Sequence, residues 1–86
     1  MKKMNGNGQI NINQTIVEIF KTDVNSEPLA NEIVCGLNKL YPDCLISFDL
    51  EDCDKVLRIE SNNSIDVFGV INYGKCNNIE ISLIDY

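Results

Sequence analysis

Ser64-Ile65-Asp66-Val67-Phe68-Gly69-Val70-Ile71-Asn72-Tyr73-Gly74 is the stretch on which the fold turns. Its apolar set, Ile65, Val67, Phe68, Val70 and Ile71, recurs at helical spacing, although the same β-branched letters suit a strand. The residues before it, Ser61-Asn62-Asn63-Ser64, form a turn that offers a helix cap. This predicts a second helix over 64–73, ended by Gly74. A strand in its place would leave the sheet with a single covering helix.

Upstream, Leu45 to Leu50 alternates Ile46, Phe48 and Leu50 against Leu45, Ser47 and Asp49, and Lys55 to Glu60 places Leu57 and Ile59 opposite Arg58 and Glu60. The polar link Glu51-Asp52-Cys53-Asp54 is short enough to make the two strands a hairpin. Before them, Leu29, Ile33, Leu37 and Leu40, with Ala30 and Val34, form one stripe of a helix over 26–40. Asn25 or Ser26 caps that helix, Glu27 suits its positive end, Pro28 fits its first turn and Pro42 stops it. Gly36 inside it costs about 1 kcal/mol against Ala and marks a close approach of helix to sheet. Gln14 to Thr22 is β-branched and aromatic, a first strand, and Asn78 to Ile84 alternates Ile79, Ile81 and Leu83 with Glu80 and Ser82, a last one.

The order strand, helix, strand, strand, helix, strand, with right-handed crossovers, gives a ferredoxin-like α+β sandwich: a four-stranded antiparallel sheet with both helices on one face. Its helix-facing residues are expected to be Val17, Ile19, Ile33, Leu37, Ile46, Phe48, Leu57, Ile59, Phe68, Ile71, Ile79 and Ile81. The 86 residues allow one small domain, over 10–86. Residues 1–9, rich in Asn and Gly, read as a disordered arm.

Seven Lys and Arg against thirteen Asp and Glu leave a formal charge of −6, which disfavours nucleic acid and anionic lipid because both need clustered cations. No run approaches the roughly 18 apolar residues of a membrane span. With no His in the chain, His-based relays and His-ligated zinc are excluded. The charged start Met1-Lys2-Lys3 has no apolar segment after it, so a cytoplasmic protein with reduced thiols is expected. Without such export, Asn13-Gln14-Thr15 and Asn62-Asn63-Ser64 are turn chemistry and not glycosylation sites. Glu27, Glu32 and Asp43 form no convincing acid–base pair, and the chain is not expected to be an enzyme.

Over roughly Thr15 to Leu83 the chain resembles the heavy-metal-associated domain family, the small copper chaperones and the metal-binding modules of copper-exporting ATPases. Three segments carry the likeness. Val24-Asn25-Ser26-Glu27-Pro28-Leu29, with Ile33 and Leu37 following, has the shape of the family's loop and first helix. Residues 45–50 followed by 55–59 are similar to its hairpin, and Leu50-Glu51-Asp52-Cys53-Asp54-Lys55 looks like that of divergent relatives. Gly74-Lys75 matches the glycine after the family's second helix, where a Lys often lies near bound copper. The family's metal motif is Met-x-Cys-x-x-Cys, two soft thiolates that clasp Cu(I). The same frame here holds Val24, Ser26 and Leu29, none of which is a soft ligand. The resemblance therefore implies the fold without the metal loop.

The cysteines stand at 35, 44, 53 and 76, with no Cys-x-x-Cys pair. Cys35 and Cys44 are expected to be buried or half-buried inert thiols. Cys53 and Cys76, with Asp52 and Asp54, are the candidate metal ligands, since the hairpin turn and the loop after the second helix share one end of the sheet; two thiolates with a carboxylate suit Cu(I) or Zn(II). The family's strand order, 4-1-3-2, separates those two cysteines by about 10–14 Å, two to three strand spacings. Ranked first is thus a non-catalytic, cofactor-free interaction or regulatory module, monomeric or weakly dimeric, whose acidic face meets a basic protein partner and whose edge strand is open to pairing. Ranked second is Cu(I) or Zn binding through the relocated Cys and Asp ligands.

Overall fold

The computed structural model describes residues 15–84; residues 1–9, read above as a disordered arm, lie outside them. The element order is β1 (Ile16–Thr22), α1 (Glu27–Leu40), β2 (Leu45–Asp49), β3 (Val56–Ser61), α2 (Val67–Cys76) and β4 (Ile81–Leu83). All strand pairs are antiparallel in one sheet ordered β2-β3-β1-β4, and the chain is an α+β ferredoxin-like βαββαβ sandwich. No helix among the described residues is long and apolar enough to cross a membrane.

Helix α1 forms where expected and for the expected reasons. Ser26 is its N-cap, its hydroxyl accepting the Leu29 N–H at 3.3 Å, and Glu27 and Pro28 occupy the first turn. Ala30, Ile33 and Leu37 are the buried stripe. Gly36 marks a close approach of a different kind from the expected one. The neighbour is Tyr73 of α2, into whose ring a Cβ at 36 would project, so the contact is helix to helix and not helix to sheet.

Helix α2 confirms the helical reading of the deciding stretch but starts and ends about three residues later than 64–73. Asp66 caps it, accepting the Gly69 N–H at 3.0 Å. Gly74 does not end it. The helix runs on to Cys76 and closes in a Schellman motif, with the Ile79 N–H on the Gly74 carbonyl at 2.8 Å and the Asn78 N–H on that of Lys75 at 3.3 Å. Asn78 supplies the left-handed residue, at φ 59°. Gly74 is instead where the helix touches the sheet: a Cβ there would lie 2.7 Å from the Ile79 carbonyl oxygen and 2.8 Å from Ile81 Cγ1. With Gly74 and Val70 facing inward, Phe68 is turned away, and it is 84% exposed where a core position was expected.

The phase of β1 is likewise opposite to the expected one. Phe20 and Thr22 face the core, paired with the buried Leu57 and Ile81, while Val17 is 38% exposed and Ile19 half-buried on the open face opposite Glu60 and Arg58. Thr22 is accommodated inside because its hydroxyl donates to the Lys55 carbonyl at 2.6 Å and accepts the Val24 N–H at 3.2 Å. Ile33, Leu37, Ile46, Leu57, Ile59, Ile79 and Ile81 are buried as expected, with Phe48 and Ile71 packed at the margin. Phe20, Val24, Ala30 and Val70 complete the core.

Candidate functional site

At one end of the sheet the three loops of interest are tied together through the central strand β1. The Thr22 N–H donates to the Asp54 carbonyl at 3.1 Å, and the Glu80 N–H to Asp23 Oδ1 at 3.1 Å. The hairpin turn holds its own shape: Asp49 Oδ1 accepts the Glu51 N–H at 3.1 Å and Asp52 Oδ1 the Asp54 N–H at 2.8 Å. Lys55, at φ 48°, closes it, its N–H on the Asp52 carbonyl and its ammonium 3.0 Å from the Leu50 carbonyl oxygen.

Three of the four candidate metal ligands come together. One ligand atom from each of Asp52, Cys53 and Asp54 lies within 4.8 Å of the others, on an exposed turn. Cys76 is outside that group. As the last residue of α2 it keeps its Sγ on the helix, 3.9 Å from Asn72 Nδ2 one turn earlier. The assembled set therefore offers one thiolate and two carboxylates, one of them already engaged by a backbone N–H.

In the first loop, the three residues that the resemblance sets at ligand positions are built into the fold. Val24 is fully buried, Ser26 spends its hydroxyl on the helix cap and Leu29 packs against the core. All four cysteines are free thiols; Cys44 is half-buried as expected, while Cys35 is exposed because it lies on the solvent side of the Ala30–Ile33–Leu37 stripe.

At the opposite end of the sheet, Tyr41, the C-cap of α1, donates its hydroxyl to Asp66 Oδ2 at 3.0 Å and so links the end of one helix to the start of the other. The Tyr41 pKa is raised, first by burial and then by the hydrogen bond and charge of Asp66, with Cys44 adding to it.

Between α1 and the edge strand β2 lies a groove of about 600 Å³ floored by Ala30, Val34, Ile46, Phe48 and Leu50. It is not legible in the sequence, because it depends on which strand forms the edge and how α1 sits on that strand. The absence of Lys and Pro from Leu45–Asp49, the residues that ordinarily protect an edge, was the available signal. No family model, curated protein or solved structure matches the chain.

Proposed function

We propose that the chain is a non-catalytic, cytoplasmic protein-interaction module, a divergent relative of the heavy-metal-associated domains that recognises a basic protein partner. The observation that carries this reading is the unneutralised acidic surface. Among the described residues there is one ion pair, Arg58 with Glu60 at 3.6 Å, against twelve acidic residues in the same span. Carboxylates without ion-pair partners favour encounter with a cationic surface and accelerate it, more strongly at low salt. Support for the family reading is the shared element order, and for the loss of the metal loop the structural use of Val24, Ser26 and Leu29.

The test is capture of partners from a native extract on the immobilised chain, with chelator present throughout. A basic protein should be retained at low ionic strength and released by salt. Retention of nothing, or of partners indifferent to salt, would contradict the proposal. The second reading, Cu(I) or Zn binding at the hairpin, is favoured by the grouping of Asp52, Cys53 and Asp54 alone. It ranks below because only one soft donor is present in that group.

A further inference from the structure

We infer that the groove between α1 and β2 is the docking site, and that its occupant is an extended peptide segment of alternating apolar and cationic residues, which adds to β2 as a fifth strand. The inference deepens the interaction reading above and rests on it.

Three observations converge on this groove. The first is the edge itself. Strand order leaves β2 and β4 as the two margins of the sheet. β4 is three residues long and so offers little to pair with, whereas β2 has five residues and neither Lys nor Pro. An edge strand leaves alternate N–H and C=O groups unpaired, and a chain laid beside it satisfies them.

The second is the floor. Ile46 and Phe48 of β2 and Ala30 and Val34 of α1 give the groove apolar contacts on the helix side, so one face of an added strand has somewhere to pack. An added strand shows alternate residues to opposite faces, and every second side chain would reach that floor. The span of β2, five residues, is about 17 Å, enough for a short linear motif.

The third is the rim. Glu27 at the start of α1 and Asp49 and Glu51 at the end of β2 line the groove, and none of them has an ion-pair partner among the described residues. No cationic side chain lines it. The Lys55 ammonium, beside the groove residue Leu50, is held by the Leu50 carbonyl. Charge also separates the candidate occupants. A second copy of this chain would bring Glu27, Asp49 and Glu51 against its own acidic surface in a molecule of charge −6, so self-pairing is opposed where a cationic strand is favoured.

The probe is a short synthetic peptide of alternating lysine and valine, titrated into the isotope-labelled full chain at low salt and followed by amide shifts. Alternating glutamate–valine and lysine–serine peptides serve as controls. Saturable shifts should concentrate in Ile46–Leu50 and in Ala30, Asn31 and Val34, with neither control matching them. Glu27→Lys with Glu51→Lys should weaken binding at least tenfold. Glu32→Lys with Glu80→Lys, which changes net charge equally away from the groove, should weaken it less than threefold. All four positions are exposed, so the fold should survive, and unchanged amide spectra verify that it does. No saturable binding, equal losses in the two double variants, or the same shifts appearing on self-association without peptide would overturn the assignment. A partner captured from extract and still held by the Glu27→Lys, Glu51→Lys chain would overturn the groove while leaving the interaction reading standing. Capture of nothing by the unaltered chain would remove that reading itself.

Discussion

The hydroxyl of Thr22 serves two backbone groups at once, the Lys55 carbonyl and the Val24 N–H, in a position only 7% exposed. Thr22→Val preserves the shape and leaves both groups without their partner. The expected loss is about 1–3 kcal/mol in urea unfolding, and a loss below about 0.5 kcal/mol, the scatter of ordinary surface changes, would contradict the role. Tyr41 gives a pH signature. Folding raises its pKa, so the neutral phenol is the stabilised form. Its contribution is fully present below the ordinary phenol value of about 10 and is lost as pH rises through the higher folded value. Tyr41→Phe should cost about 0.5–1.5 kcal/mol near neutrality and flatten the alkaline fall of the melting temperature. An alkaline limb as steep as that of the parent would show that the phenol is not responsible. Neither residue was legible beforehand, because each acts through a partner far along the chain, 33 positions away for Thr22 and 25 for Tyr41.

At the scale of elements, the sequence was most readable where one signal stood alone. α1 had a cap, a first-turn Pro and an unbroken apolar stripe, and it starts at Glu27 and ends at Leu40, within a residue of expectation. β1 was ambiguous, since Val17 and Ile19 on one side and Ile16 and Phe20 on the other are equally apolar. Only the pairing of Phe20 with Leu57 and of Thr22 with Ile81 decides its phase. In α2, Gly74 looked like a terminator and acts as a contact, while the left-handed Asn78 ends the helix. That contact sets the rotation of α2 and turns Phe68 outward. Gly74→Ala should therefore destabilise by about 1–3 kcal/mol through overpacking, despite a helix-propensity gain of about 1 kcal/mol. Phe68→Ser should change stability by less than about 0.5 kcal/mol, where a core phenylalanine would cost about 3–5 kcal/mol on truncation. Chemical unfolding of the two variants side by side checks both, and the reverse order would mean that α2 is rotated otherwise.

At the scale of the molecule, the fold places two very different surfaces beside the sheet. The turn Asp52-Cys53-Asp54 was visible in the sequence because its residues are contiguous. Its separation from Cys76 was implied by the strand order, which sets the two about two to three strand spacings apart; that Cys76 belongs to α2, which continues past Gly74, was not visible. The groove beside β2 was invisible for the complementary reason, being made by residues distant in sequence that only the strand order brings together. The acidic surplus and the open edge favour recognition of a protein; the lone thiolate of the turn and the structural use of Val24, Ser26 and Leu29 disfavour a metal. The choice between those readings is decided most directly by titrating the reduced chain with Zn(II) and with Cu(I) while following backbone amides and thiol reactivity. At one equivalent, Val24–Leu29 and Asp52–Asp54 should show no saturable shift, and Cys53 and Cys76 should remain fully reactive. A tight one-to-one complex that protects Cys53 and is abolished by Cys53→Ser would contradict the account and make the hairpin a metal site.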